Sequence, residues 1–177
     1  MYPGVPAPVV DYPLPLSKSL QGKYFIGETD QLLPTDNNRT WAGLINPLDS
    51  GVHLYVDIYV ISNLSADPLV SQICFCQSLP TNAKLSHEIS NSNLTFRPQP
   101  VPRGQVQFGE ALDTAAFTAV PVSTRVVSPY SSTASEKRGH WIIGPGTAIL
   151  FTLTGTFEYP NPAVVSLGWW EESAGQY

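Results

Sequence analysis

The chain has 177 residues, 42% hydrophobic and 13% charged, with a net charge of -5. That length suits one domain with its own core and no cofactor, and the charged fraction is about half the usual ~25%. Net acidity, with Lys137-Arg138 the one adjacent basic pair, argues against a nucleic-acid partner, and no apolar run approaches the ~20 residues of a membrane span.

Residues 1–20 hold five prolines and read as an extended arm ahead of a single domain over residues 21–177. Pro6 and Pro8 share one parity, as do Pro13 and Pro15. In an extended chain each pair removes N–H donors from one side only. The residues left to dock on a neighbouring subunit by strand addition are Val5, Val9, Tyr12, Leu14 and Leu16; a frayed polyproline tail is the plainer alternative. The start Met1-Tyr2-Pro3-Gly4 lacks the basic opening and apolar stretch of a signal peptide. Synthesis in the cytoplasm is expected, with a final place on a spore, a cell surface or a virion.

From Lys23 the chain breaks into short β-type runs. Lys23 to Ile26 and Thr40 to Ile45 are the first two. Val52 to Ser62 alternates most clearly: Val52, Leu54, Val56, Ile58 and Val60 share one face, and His53, Tyr55, Asp57 and Tyr59 the other. Leu69 to Gln77 follows a turn and is expected as its hairpin partner. Leu94 to Arg97 and Gln105 to Phe108 read as short strands separated by the edge-type Pro98-Gln99-Pro100-Val101-Pro102. Glu110 to Thr118 is the one helical turn the pattern suggests. Arg125 to Val127 is a strand followed by a Ser/Thr loop over 131–135. Trp141 to Ile143, a turn at Gly144-Pro145-Gly146, Thr147 to Thr154 and Val164 to Glu171 complete the set. About eight short antiparallel strands without a long helix predict an all-β jelly roll or β-sandwich.

No catalytic pattern emerges. His53, His87 and His140 lie far apart, without metal-ligand spacing. There is no nucleophile elbow and no phosphate loop, and Pro145 removes a donor from the one glycine-rich turn. Glu171 and Glu172 are neighbours on a strand and point to opposite faces, so they cannot flank one glycosidic bond. No enzyme, cofactor or metal is expected. Cys74 and Cys76 project from one strand face and read as reduced, small apolar groups; thiols joining two subunits are the alternative. Of Trp169 and Trp170, one is expected in the core and Trp170 more exposed. Trp170 or Trp141 with Tyr55 and Tyr59 would suit an interface or a carbohydrate platform.

The ending Gly168-Trp169-Trp170-Glu171-Glu172 and the segment Gln21 to Gly27, with Trp41-Ala42-Gly43-Leu44, Ser50-Gly51-Val52 and Ile61-Ser62-Asn63, resemble a small uncharacterised β-sandwich family of spore-forming bacteria. More loosely, a flexible arm, a Ser/Thr-rich sandwich and a Pro-Gly turn before a late strand resemble jelly-roll subunits of bacterial endospore appendages. That resemblance implies stacking subunits joined by their arms, commonly through arm cysteines, which this arm lacks. The expectation is a self-assembling structural subunit of a filament, coat or surface layer, forming a homo-oligomer or polymer through its arm. The alternatives are a carbohydrate- or protein-binding module and a phage decoration or fibre protein.

Overall fold

A computed structural model describes residues 11–79, 83–110 and 119–175. One short helix, α1 (Leu14–Leu20), precedes eleven strands. These are β1 (Tyr24–Glu28), β2 (Thr40–Ile45), β3 (Val52–Asn63), β4 (Leu69–Cys76), β5 (Lys84–Leu85) and β6 (Ile89–Asn91), then β7 (Gln105–Glu110), β8 (Ala119–Val127), β9 (Ser131–Ile143), β10 (Ala148–Thr154) and β11 (Ala163–Ser173). They form a five-stranded sheet, β6-β1-β11-β3-β9, and a six-stranded sheet, β5-β7-β2-β10-β4-β8. The order β1-β11-β3-β9 facing β2-β10-β4-β8 is that of a jelly roll. The expected all-β fold therefore holds, and the three strands beyond the eight of the jelly roll, β5, β6 and the expected β7, lie between β4 and β8.

The core lies between the sheets. Trp169, Tyr59, Phe151, Leu54, Ile61, Leu69 and Ile73 are fully enclosed there. A second cluster lies on the outer face of the six-stranded sheet, where Trp41, Ile45, Cys74, Cys76 and Leu150 are covered by Leu79, Ala83 and Ala119.

Several expectations are overturned. The extended arm gives way to α1 at Leu14. Pro13, with ψ of 138°, leads into the helix, and Pro15 sits in its first turn, where a missing N–H breaks no helical bond. The pairing parity of Tyr12, Leu14 and Leu16 is thereby lost, although all three remain exposed. Val5 and Val9 lie outside the described residues, as does the suggested helical turn beyond Glu110. β3 and β4 do not form a hairpin but belong to opposite sheets. The 131–135 loop is the start of β9, the longest strand, and Leu94–Arg97 is not a strand.

The alternation of β3 also breaks. Its pairing with β9 and with β11 shifts register around Asp57, leaving that residue without a partner in either ladder. On β9, residues 137–140 fill the gap between the partners Glu136 and Trp141. Against β11, Asp57 is one extra residue, and such a bulge moves every later side chain of β3 to the opposite face. Leu54 and Val56 point inward before it; Tyr59, Ile61 and Asn63 do so after it, and Ile58 and Val60 turn outward.

Candidate functional site

The outward turn of Ile58 and Val60 creates a concavity. It is an open groove of about 450 Å³ on the outer face of the five-stranded sheet. Ile26, Ile58, Val60 and Gly168 line it, with the segment His87–Ser90 along one side and Glu28 and Ser166 at its polar rim. Such a volume falls in the usual ~300–1,000 Å³ range of binding sites. Gly168 keeps the groove open: a Cβ there would stand 2.6 Å from the Tyr24 hydroxyl and 3.0 Å from Ile58 Cγ2.

Polar order at one end comes from the bulge itself. The Tyr24 hydroxyl donates to Asp57 Oδ2 at 2.8 Å. Burial, then the hydrogen bond to Asp57 and that carboxylate's charge, push the Tyr24 phenol above its ordinary value, so it stays a donor. Beyond Tyr24, α1 is fastened to the same sheet. Lys18 Nζ and Lys23 Nζ lie 2.5 and 2.6 Å from the Glu172 carboxylate, and the Ser19 and Ser92 hydroxyls are 2.8 Å apart. Burial works to raise the Glu172 pKa, but the two ammonium groups outweigh it and hold the carboxyl below its usual range. Even so, Leu14, Leu16 and Leu20 of α1, and Tyr12 before it, are exposed at 45–56%.

The four aromatic residues singled out from the sequence form two pairs, not one platform. Trp170 stacks on Tyr55 with ring centroids 5.5 Å apart on the outer face. Trp170 is 3% exposed, against the expectation of a presented indole. Gly139, at φ 77° in the β9 bulge, lies so close over the indole that a side chain there would collide with it. Tyr59, turned inward by the β3 bulge, stacks on Trp141 at 5.8 Å and is fully buried, although the alternation set it on the polar face. Lys137 Nζ stands 4.2 Å from the Trp141 ring centroid, a cation–π contact that closes this edge of the core.

Cys74 and Cys76 are free and lie in the covered outer cluster of the six-stranded sheet. Burial raises both thiols, Cys76 to about 12, so they are protonated at neutral pH. The geometry supports their reading as small apolar groups, because a bridge to another subunit would require that cover to open. Glu171 and Glu172 do point to opposite faces. Glu171 enters the core side and accepts the N–H of Arg103 and Gly104, at 3.0 and 2.8 Å, and the Trp169 indole N–H at 3.1 Å. It ties the strand after Pro102 to β11. Among the described residues no group of three or more His, Cys, Asp or Glu side chains is placed to hold a metal, and no helix is long and apolar enough to cross a membrane.

The groove residues Ile26, Ile58, Val60 and Gly168 were missed by sequence reasoning. The signal was Asp57, an acidic residue in the middle of an apolar strand, which marks the bulge. A family model described as a family of unknown function (DUF6143) matches residues 6–176. No curated protein and no solved structure matches the chain.

Proposed function

The chain belongs to that family of unknown function, which brings no assigned activity, and we propose that it is a structural subunit that assembles with copies of itself into a filament, coat or surface layer. The observation that carries this reading is a pairing of surfaces. Leu14, Leu16 and Leu20 lie exposed on a helix that buries none of its own residues, Tyr12 is exposed just before it, and an apolar groove stands open on the outer face of the five-stranded sheet. Apolar side chains concentrated at one terminus and unpartnered in the monomer are what an interface buries. A charge-poor surface fits a subunit whose faces are covered by neighbours. The N-terminal residues of one copy are the proposed occupant of the groove on the next.

Carbohydrate binding through the aromatic residues singled out from the sequence is less well supported, because Trp170 and Tyr59 are covered. The test is a Tyr12→Ser, Leu14→Ser, Leu16→Ser triple variant followed by light scattering and negative-stain microscopy. These exposed changes should leave the far-ultraviolet circular dichroism unaltered and abolish the higher assembly. Assembly equal to that of the unmodified chain would overturn the reading.

A further inference from the structure

The apolar groove and the apolar corner where α1 ends carry opposite charges, and among the described residues neither meets its counter-charge. The groove lining holds two carboxylates, Glu28 and Glu88, one histidine, His87, and no Lys or Arg. The backbone N–H of Glu28 donates to the Glu88 carbonyl at 3.0 Å, so the two acidic residues adjoin, and both are exposed. The Glu28 carboxylate accepts from the Ser166 hydroxyl at 3.3 Å. All nine Lys and Arg residues lie within the described residues, and none comes within ion-pair distance of either carboxylate. Adjacent like charges repel, and a cation brought by a partner relieves that repulsion.

The unmet cation stands at the corner. The Ser19 and Ser92 hydroxyls are 2.8 Å apart, and Asn93 Nδ2 donates to the Ser19 carbonyl at 3.2 Å. These bonds bring Leu20, 53% exposed, and Leu94, 66% exposed, to one corner of the molecule. Arg97 folds back on it, its Nη1 donating to the Leu94 and Phe96 carbonyls at 2.8 Å each. The guanidinium is exposed and, among the described residues, has no carboxylate partner, whereas Lys18 and Lys23 already share Glu172. We propose that this corner of one copy, Leu20 and Leu94 with Arg97, seats in the groove of the next, the guanidinium meeting Glu28 and Glu88. The inference rests on the reading that the chain assembles with itself through its N-terminal residues, and it adds the charged contact and the segment beyond β6 to that surface. The leucines supply buried apolar area, and the charges set orientation and partner choice. The two copies use different surfaces, so the contact is head-to-tail and repeats without having to close.

The experiment is a charge exchange between two variants, read by light scattering and sedimentation. Arg97→Glu carries an acidic corner and an acidic groove. The double variant Glu28→Lys, Glu88→Lys carries a basic corner and a basic groove. Each alone should assemble at least ~10-fold more weakly than the parent, with an unchanged dichroism spectrum. Mixed in equal amounts, they should assemble to within ~3-fold of the parent, because every junction then joins unlike charges. A variant that had merely lost its fold could not be rescued by mixing. Leu94→Ser, which leaves α1 intact, should weaken assembly as well. Reversals without effect, or a mixture that assembles no better than its components, overturn the proposal. If the reversals have no effect while the Tyr12/Leu14/Leu16 triple variant still abolishes assembly, the charge contact fails and the N-terminal reading stands. A parent chain that stays monomeric overturns both. Parent binding to vesicles of anionic phospholipid that is lost in Arg97→Glu, with no rescue on mixing, overturns the second copy as occupant and assigns the corner to a membrane surface.

Discussion

The outer faces of the two sheets are treated differently. On the six-stranded sheet, Trp41, Ile45, Leu150 and the two cysteines project away from the central core, and Leu79 and Ala83 close over them. On the five-stranded sheet, Ile26, Ile58 and Val60 project the same way and stay open. Both faces carry apolar side chains, so hydrophobicity alone does not say which is to be covered. The difference lies in size and in connection. Trp41 and Leu150 present large surfaces, each worth ~1.5–3 kcal/mol on burial, and Leu79, just beyond β4, and Ala83 pack against their cluster. Around the groove the opposite face has smaller groups with a glycine at their centre, and its one tryptophan, Trp170, is covered separately by Tyr55 and the β9 bulge. One face completes the monomer, and the other is left for something outside it.

The largest test of that contrast compares truncations on the two faces. Trp41→Ala should cost ~3–5 kcal/mol in urea denaturation, the value for a core tryptophan, because Trp41 is 1% exposed. Ile26→Ser should stay within ~0.5 kcal/mol, as for a surface substitution. Equal costs would mean that both faces belong to the folding core, and the contrast would be broken. Thiol labelling sharpens the same point. With a pKa of about 12, only ~10⁻⁴ of Cys76 is thiolate at pH 8, against roughly a quarter in the unfolded chain. Modification of the native protein by a disulfide reagent should therefore be at least ~10³-fold slower than in urea. Labelling within tenfold of the unfolded rate would show that the cover over this face opens freely, and would return the intersubunit-thiol alternative to contention.

The fold was more legible than the site, for a physical reason. Period-2 alternation and turn residues report the local environment of a strand, and they located β1, β2, β3, β4, β7, β10 and β11 to within a few residues. Pairing is non-local, so the adjacency of β3 and β4 suggested a hairpin where the topology sends them to opposite sheets. The start of β9 reads as a loop because Ser131 to Ser135 carries only Ala134 among hydroxyl residues, yet an edge strand facing solvent needs few apolar side chains. Only its end, Trp141 to Ile143, reads as a strand. The helix was missed because Pro13 and Pro15 look extended when first-turn tolerance is left out. The groove was hidden by a single residue. Strict alternation put Ile58 and Val60 in the core and Tyr59 outside, and the bulge at Asp57 reversed all three. Asp57 was visible throughout, but only its bond to Tyr24, 33 positions away, gives it a structural meaning.

The smallest effect concerns how the open face is fastened at its edge. The covered face is closed by apolar packing, which responds weakly to pH, whereas α1 is held to the five-stranded sheet by the pairing of Glu172 with Lys18 and Lys23. The Glu172 carboxyl is held below its ordinary value in the folded chain. Its contribution to stability is therefore present at neutral pH and is lost as pH falls through the ordinary carboxylate range toward the lowered one. Because the group is partly exposed, solvent screening keeps that contribution to about 1 kcal/mol or less. Glu172→Gln should lower the urea midpoint slightly at pH 7 and less so near pH 3, and added salt should shrink the pH 7 difference. The same deficit at both pH values would show that Glu172 acts through packing rather than charge, and α1 would then be as firmly built into the monomer as the cover on the opposite face.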